Sequence, residues 1–225
     1  MRQYVLLTSI AVLGTLSAHA DPLIEQARAS TNADGPLYAY EMEYSDGEVH
    51  ASGKIDPSQP EGKRITVYSP RESEWDDDLR EAIKSIDADV DGDIFCDDFV
   101  RQIPDTAERV NETDDAAYYT FTPSPEADAD DMERKLMKKV EASATLSKAD
   151  GQVLAFRMSL PKPFKPAFVA KIKTFRLDAT CARAPDGRTY LEAMQLDISG
   201  SAMMQDFNQS ITRRITKLLD PVTMP

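Results

Sequence analysis

The chain of 225 residues carries 39 acidic and 26 basic side chains, a net charge of −13, with two histidines and two cysteines. So acidic a surface repels nucleic acid phosphates and anionic lipid headgroups, which argues against both as partners. With so few His and Cys, most zinc and nucleophilic mechanisms lack their parts, and no G-x-S-x-G, HExxH or P-loop occurs. The expectation is a protein that is not an enzyme.

The first twenty residues read as a secretion signal. Arg2 supplies the positive start, Tyr4 to Leu16 an apolar run, and Ser17-Ala18-His19-Ala20 a small-x-small cleavage pattern. The alternative is a buried N-terminal helix. The apolar run is shorter than the roughly 20 residues a spanning helix needs, and no later stretch is longer, so the chain is not membrane-spanning. Cleavage would remove Arg2 and His19 and leave one exported domain, residues 21–225, with 25 basic against 39 acidic residues and a net charge of −14. No cysteine stands at the cleavage point to take a lipid anchor. The expected location is periplasmic or secreted.

Along the chain, Tyr38, Tyr40, Met42 and Tyr44 alternate with Ala39, Glu41 and Glu43 as in a half-buried strand. Asp46-Gly47 turns the chain into Val49–Ile55, and Pro57–Gly62 turns it into a third strand at Ile65 and Val67. Trp75, Leu79, Ala82, Ile83 and Ile86 then recur at helical spacing from Glu72 to Ile86, behind an acidic first turn. Ala117, Tyr119 and Phe121 mark a strand, and Met132, Leu136, Met137 and Val140 a second helix over about 127–139. Alternating strands follow at Ala142–Leu146 and Leu154–Leu160. After the proline-broken Pro161–Pro166 comes Ala170–Cys181, with a phase change that predicts a bulge near Lys173. Met194, Leu196 and Ile198 form another strand. Met203, Phe207, Ile211, Ile215 and Leu219 recur every four residues and predict a terminal amphipathic helix. About eight strands broken by helices, without regular βαβ alternation, indicate an α+β fold.

Cys96 and Cys181, an even pair in an exported chain, read as a disulfide; the alternative is two separate buried thiols.

Asp87, Asp89, Asp91, Gly92, Asp93 and Asp98 have the spacing of an EF-hand loop and resemble one, with carboxylates at positions one, three, five, seven and twelve. The resemblance implies a calcium site, with a Kd of about 10⁻⁴–10⁻³ M as in extracellular modules. The last ligand is Asp rather than Glu, and no second loop is present. The other reading is a solvated acidic loop with an Asp-Gly turn.

The meander Gly53-Lys54-Ile55, Pro60, Arg64-Ile65-Thr66-Val67 and Pro70 resembles the start of the LolA/LolB-type periplasmic lipoprotein carriers. The resemblance implies a curved antiparallel sheet, an incomplete barrel wrapping two or three helices and holding acyl chains, and it marks Arg64 as the arginine after the first hairpin. Independently, the inward faces mix small residues with Tyr40, Met42, Phe156, Met158 and Met194, a lining suited to an apolar small molecule or a lipoprotein acyl chain. The competing reading is that the helices fill this space. A calcium-stabilised interaction module around Asp87–Asp98 is the second functional expectation.

Overall fold

The computed structural model describes residues 20–31, 35–125, 129–167 and 169–223, without the side chain of Asp78. The signal-peptide reading of residues 1–20 therefore falls, but for Ala20, outside the described residues. Eleven strands form a single antiparallel sheet in the order β3-β2-β1-β11-β10-β9-β7-β6-β5-β4, with β8 attached beside β7 on the edge of β9. The sheet does not close into a barrel, since β3 and β4 remain its edges.

The opening meander is as expected: β1 (Leu37–Ser45), β2 (His50–Ile55) and β3 (Ile65–Ser69). The central strands are β5 (Ala116–Phe121), β6 (Glu141–Ser147), β7 (Val153–Ser159), β9 (Ala170–Arg183) and β10 (Thr189–Ala202). The β9–β10 register skips Lys173 between Ile172 and Thr174, which is the predicted bulge. Two short strands were not anticipated. They are β4 (Glu108–Glu112), which is exposed throughout, and β8 (Phe164–Ala167), inside the proline-broken segment.

The C-terminal expectation is overturned. Residues Gln205–Val222 form β11, an 18-residue strand between β1 and β10, and not a helix. A spacing of four is also a multiple of two, so Phe207, Ile211 and Ile215 share one face of a strand as readily as one face of a helix, and a bulge at Thr216 then brings Leu218 rather than Leu219 to that face. The many β-branched residues and the open backbone edges of β1 and β10 decide the outcome.

Of the helices, α1 (Pro22–Ser30) was not foreseen. Asp21 caps it, accepting the Leu23 N–H at 2.9 Å, and Pro22 occupies its first turn. α2 (Asp77–Asp89) follows a short 3₁₀ turn at Glu72–Glu74 and is capped by Asp76; α3 is Asp98–Arg101 and α4 is Asp131–Met137. Leu23, Ile24 and Ala27 of α1 and Val100 of α3, with Ile103 just beyond it, pack on Tyr119, Ala144, Leu146, Val153 and Phe156 of the sheet. Each large side chain buried there contributes roughly 1.5–3 kcal/mol. A disulfide joins Cys96, just ahead of α3, to Cys181 on β9, closing a separation of 85 residues and tying this lid to the sheet.

The core is therefore lopsided. One row of paired residues crosses eight strands on the helix-bearing face: Ala51, Tyr44, Arg213, Met194, Ala179, Phe156, Ala144 and Tyr119. From Ala179 to Tyr119 the row is buried beneath α1 and α3; Met194 and Tyr44 are half-buried and Arg213 is exposed. Among the described helices only α2 stands over that second half.

A candidate apolar cleft between helix α2 and the opening meander

Helix α2 does not seal the sheet beneath it. Leu79 and Ile83 are half-buried, Ala82 is exposed, and Ile86 is 47% exposed, although all four point from α2 into the space over the sheet. The floor opposite is Tyr40, Met42 and Tyr44 of β1, Ala51 and Gly53 of β2, and Val67 of β3, continued by Ile215 of β11. Val90, Ile94 and Leu191 close one end. The cleft, open to solvent on one side, has a volume of about 720 Å³. Gly53 has no room for a side chain, because a Cβ there would meet the Thr66 carbonyl at 2.6 Å. The close β2–β3 approach that forms the floor depends on it.

Polar groups sit at the margins. Tyr44 donates its hydroxyl to Asp46 at 3.1 Å, and the Arg213 guanidinium lies 6.0 Å from the centre of the Tyr44 ring. Burial, and to a lesser extent the Asp91 charge, push the Tyr40 phenol up to about 12 against the opposing pull of Arg213. Both tyrosines are thus neutral hydrogen-bonding groups against an apolar surface across the physiological range.

α2 is fastened at its C-terminal end. Asp87, 4% exposed, accepts the backbone N–H of Ile65 at 3.0 Å and that of Gly62. The helix has no basic residue in its last turn. Arg64 supplies the missing charge, its Nη1 donating to the Asp87 carbonyl at 3.3 Å and the Ala88 carbonyl at 3.4 Å. At the other end, Trp75 donates its indole N–H to the Pro70 carbonyl at 3.0 Å and lies under the Arg80 guanidinium.

The expected site residues separate accordingly. Tyr40 and Met42 line the cleft. Phe156 and Met158 share the sheet face but lie in the closed core, at 1% and 5% exposure, with Phe156 stacked on Phe99 at 4.6 Å. Met194 is half-buried on β10, beside Arg213 but outside the cleft lining. Arg64 caps α2. Arg213, Arg214, Ile215 and the α2 side chains also line it, with Asp46, Glu48, Asp76, Asp89, Asp91 and Asp93 among its polar groups; the β11 residues were hidden by the helical reading of that strand.

The acidic loop is not laid out as a coordination loop. Asp87 and Asp89 belong to the last turn of α2, and Asp87 is spent on backbone N–H groups. Asp91 and Asp93 accept the N–H groups of Asp93 and Phe95, closing two tight turns. Asp98 opens α3 and pairs with Arg101; burial first, then the Asp93 charge, raise its pKa. Among the described residues no three His, Cys, Asp or Glu side chains converge as a metal-binding group. Downstream the segment is stitched to β10, with Leu191 N–H donating to Ile94 O and Cys96 N–H to Thr189 O. His50 is exposed at the start of β2.

Comparison with known proteins returns no match, whether to a family model, a curated protein or a solved structure.

Proposed function

We propose that this protein is an exported binding protein that carries an apolar ligand, a lipid or the acyl chains of a lipoprotein, between α2 and the β1–β3 meander. The observation that carries this reading is the unfilled cleft. An amphipathic helix turns its apolar side toward an apolar sheet and leaves about 720 Å³ between them. That volume falls within the roughly 300–1,000 Å³ typical of small-molecule sites. Leaving Leu79, Ile83 and Ile86 short of full burial forfeits hydrophobic stabilisation that a bound apolar molecule would restore. The flexible, polarizable Met42 side chain on the floor suits an irregular apolar partner.

Two further features agree. A disulfide in a chain that opens with a signal-like segment fits an oxidising compartment outside the cytoplasm. The open antiparallel sheet with helices on one face matches what the resemblance to the LolA/LolB-type carriers implies. Native mass spectrometry of gently purified protein tests the reading. The expected result is one or more apolar species released on denaturation. A clean apo mass, together with no uptake of a fluorescent fatty acid, overturns it.

A further inference from the structure

The net charge of −13 conceals a basic pole. From Gly151 to Leu177 the chain carries six basic residues, Arg157, Lys162, Lys165, Lys171, Lys173 and Arg176, and no acidic one. The two arginines are engaged with Asp178. The four lysines flank the end of the sheet where the β8–β9 and β10–β11 hairpins turn side by side. Ala170 there pairs with both Ala167 and Ala202, and Met203 N–H donates to Val169 O at 2.9 Å. Lys171 lies opposite Ser201, and Lys135 of α4 reaches the Pro166 carbonyl at 3.4 Å. Asp206 is the one acid on these two hairpins at the tips, and Lys173 neutralises it at 2.8 Å. Three acids at the start of α4, the cap Asp130 with Asp131 and Glu133, precede Lys135 by five, four and two residues.

Apolar side chains stand at the centre of this pole. Val169 is 54% exposed, Met203 77% and Met204 fully exposed. Met203 and Met204 are also the two central residues of the β10–β11 turn, with φ of 51° and 67°. A two-residue turn with both φ values positive favours Asn-Gly, and bulky side chains are disfavoured there. The fold alone therefore gives no reason for two large apolar residues at its most exposed point. Exposed Met and Val on hairpin tips whose strands carry several lysines are instead the pattern of an interfacial anchor.

We propose that the paired hairpin tips dock on an anionic phospholipid bilayer. Met203 and Met204 enter the boundary between headgroups and acyl chains, while Lys162, Lys165 and Lys171 lie against the lipid phosphates and Lys173 offsets Asp206. The repulsion expected from the whole-molecule charge is reversed locally, because the interaction is screened within about 10 Å at 0.1 M salt and lysines outnumber acids on the two hairpin tips. The proposal stands independently of what the cleft carries.

Co-sedimentation of the full chain with vesicles tests it, using phosphatidylcholine alone and an equal mixture of phosphatidylcholine and phosphatidylglycerol. Binding to the mixed vesicles that falls with added salt, and little binding to the neutral ones, is expected. The double variant Met203→Asn/Met204→Gly relieves the turn, so its melting temperature should equal or exceed that of the parent. Its vesicle affinity should fall about tenfold or more, as loss of buried Met side chains implies. Lys171→Gln/Lys173→Gln should weaken binding to the mixed vesicles and flatten its salt dependence. No binding to the mixed vesicles, equal binding to both kinds, or an Asn-Gly variant that binds like the parent overturns the proposal.

Discussion

Arg64 and Asp87 form the latch that sets the position of α2. Arg64 donates to the Asp87 carbonyl at 3.3 Å, while the Asp87 carboxylate accepts the N–H of Ile65, the next residue along, at 3.0 Å. One side of the contact completes the end of a helix, and the other completes the start of a strand. Each residue was a candidate ligand on its own: Arg64 for an apolar cargo, Asp87 for calcium. Their reciprocal contact gives each a structural role and ties the C-terminal end of α2 to the start of β3.

Replacing Asp87 with Ala leaves the Gly62 and Ile65 N–H groups without their acceptor, at a cost of about 1–3 kcal/mol. Urea unfolding should show this loss undiminished in millimolar calcium, because the carboxylate serves the backbone. A loss seen only in the presence of calcium contradicts the assignment.

Arg64→Gln should fray the last turn of α2, whose carbonyls then lack a cationic partner. Hydrogen exchange should accelerate at residues 86–90 and remain unchanged in β5 and β6.

A second long-range clamp makes α1 sensitive to acid. Arg109 on β4 grips the α1 cap Asp21 through two hydrogen bonds, Nη2 to Oδ1 at 2.7 Å and Nε to Oδ2 at 3.0 Å. Burial would raise the Asp21 pKa, but hydrogen bonds from Arg109, the Leu23 N–H and Tyr119, with the guanidinium charge, outweigh it and hold the group below its ordinary value. A carboxyl whose folded pKa is depressed contributes stability that is complete above its unfolded pKa, about 3.9, and disappears as pH falls through the lower folded value. Asp21→Ser keeps a cap and removes the charge. The stability gap between parent and variant should be wide at neutral pH and close below about pH 3.9. A gap that widens in acid refutes the clamp.

Reducing the Cys96–Cys181 bridge should cost ~4–5 kcal/mol in the chain-entropy account of an 85-residue closure. Non-reducing and reducing intact masses, which should differ by two hydrogens, confirm that the bridge forms. Thermal unfolding of Cys96→Ala/Cys181→Ala gives its contribution, and an unchanged melting temperature contradicts the entropic account.

Strand alternation made most of the sheet readable. β1, β2, β5, β6 and β7 follow clear period-two patterns, and the phase slip at Lys173 revealed its bulge. β11 was misread because its four-residue spacing satisfies both periods, and only the neighbouring strands β1 and β10 decide between them. α1 went unseen because Pro22–Ser30 is too short, with only Leu23 and Ile24 as large apolar residues, to show a helical period, and its burial depends on the distant surface it covers. Cleft and core were confused for the same reason. Tyr40, Met42, Phe156 and Met158 all face the helix-bearing side, but what separates them is which helix lies above, and α1 was absent from the sequence reading. Capping roles such as those of Arg64 and Asp87 join residues more than twenty positions apart, and no local pattern records them.

The most direct test of the cleft as a carrier site is to fill it. Ala82, exposed on α2 and facing the meander, can be replaced by Trp with no loss of core contacts. Titration of parent and Ala82→Trp with an environment-sensitive fluorescent fatty acid reads occupancy. The account predicts saturable binding by the parent, a drop of about tenfold or more in the variant, and a melting temperature that is unchanged or higher, since the indole buries apolar area that the cleft now leaves open. Equal binding by the two proteins would place any lipid elsewhere on the molecule and contradict the assignment of the cleft.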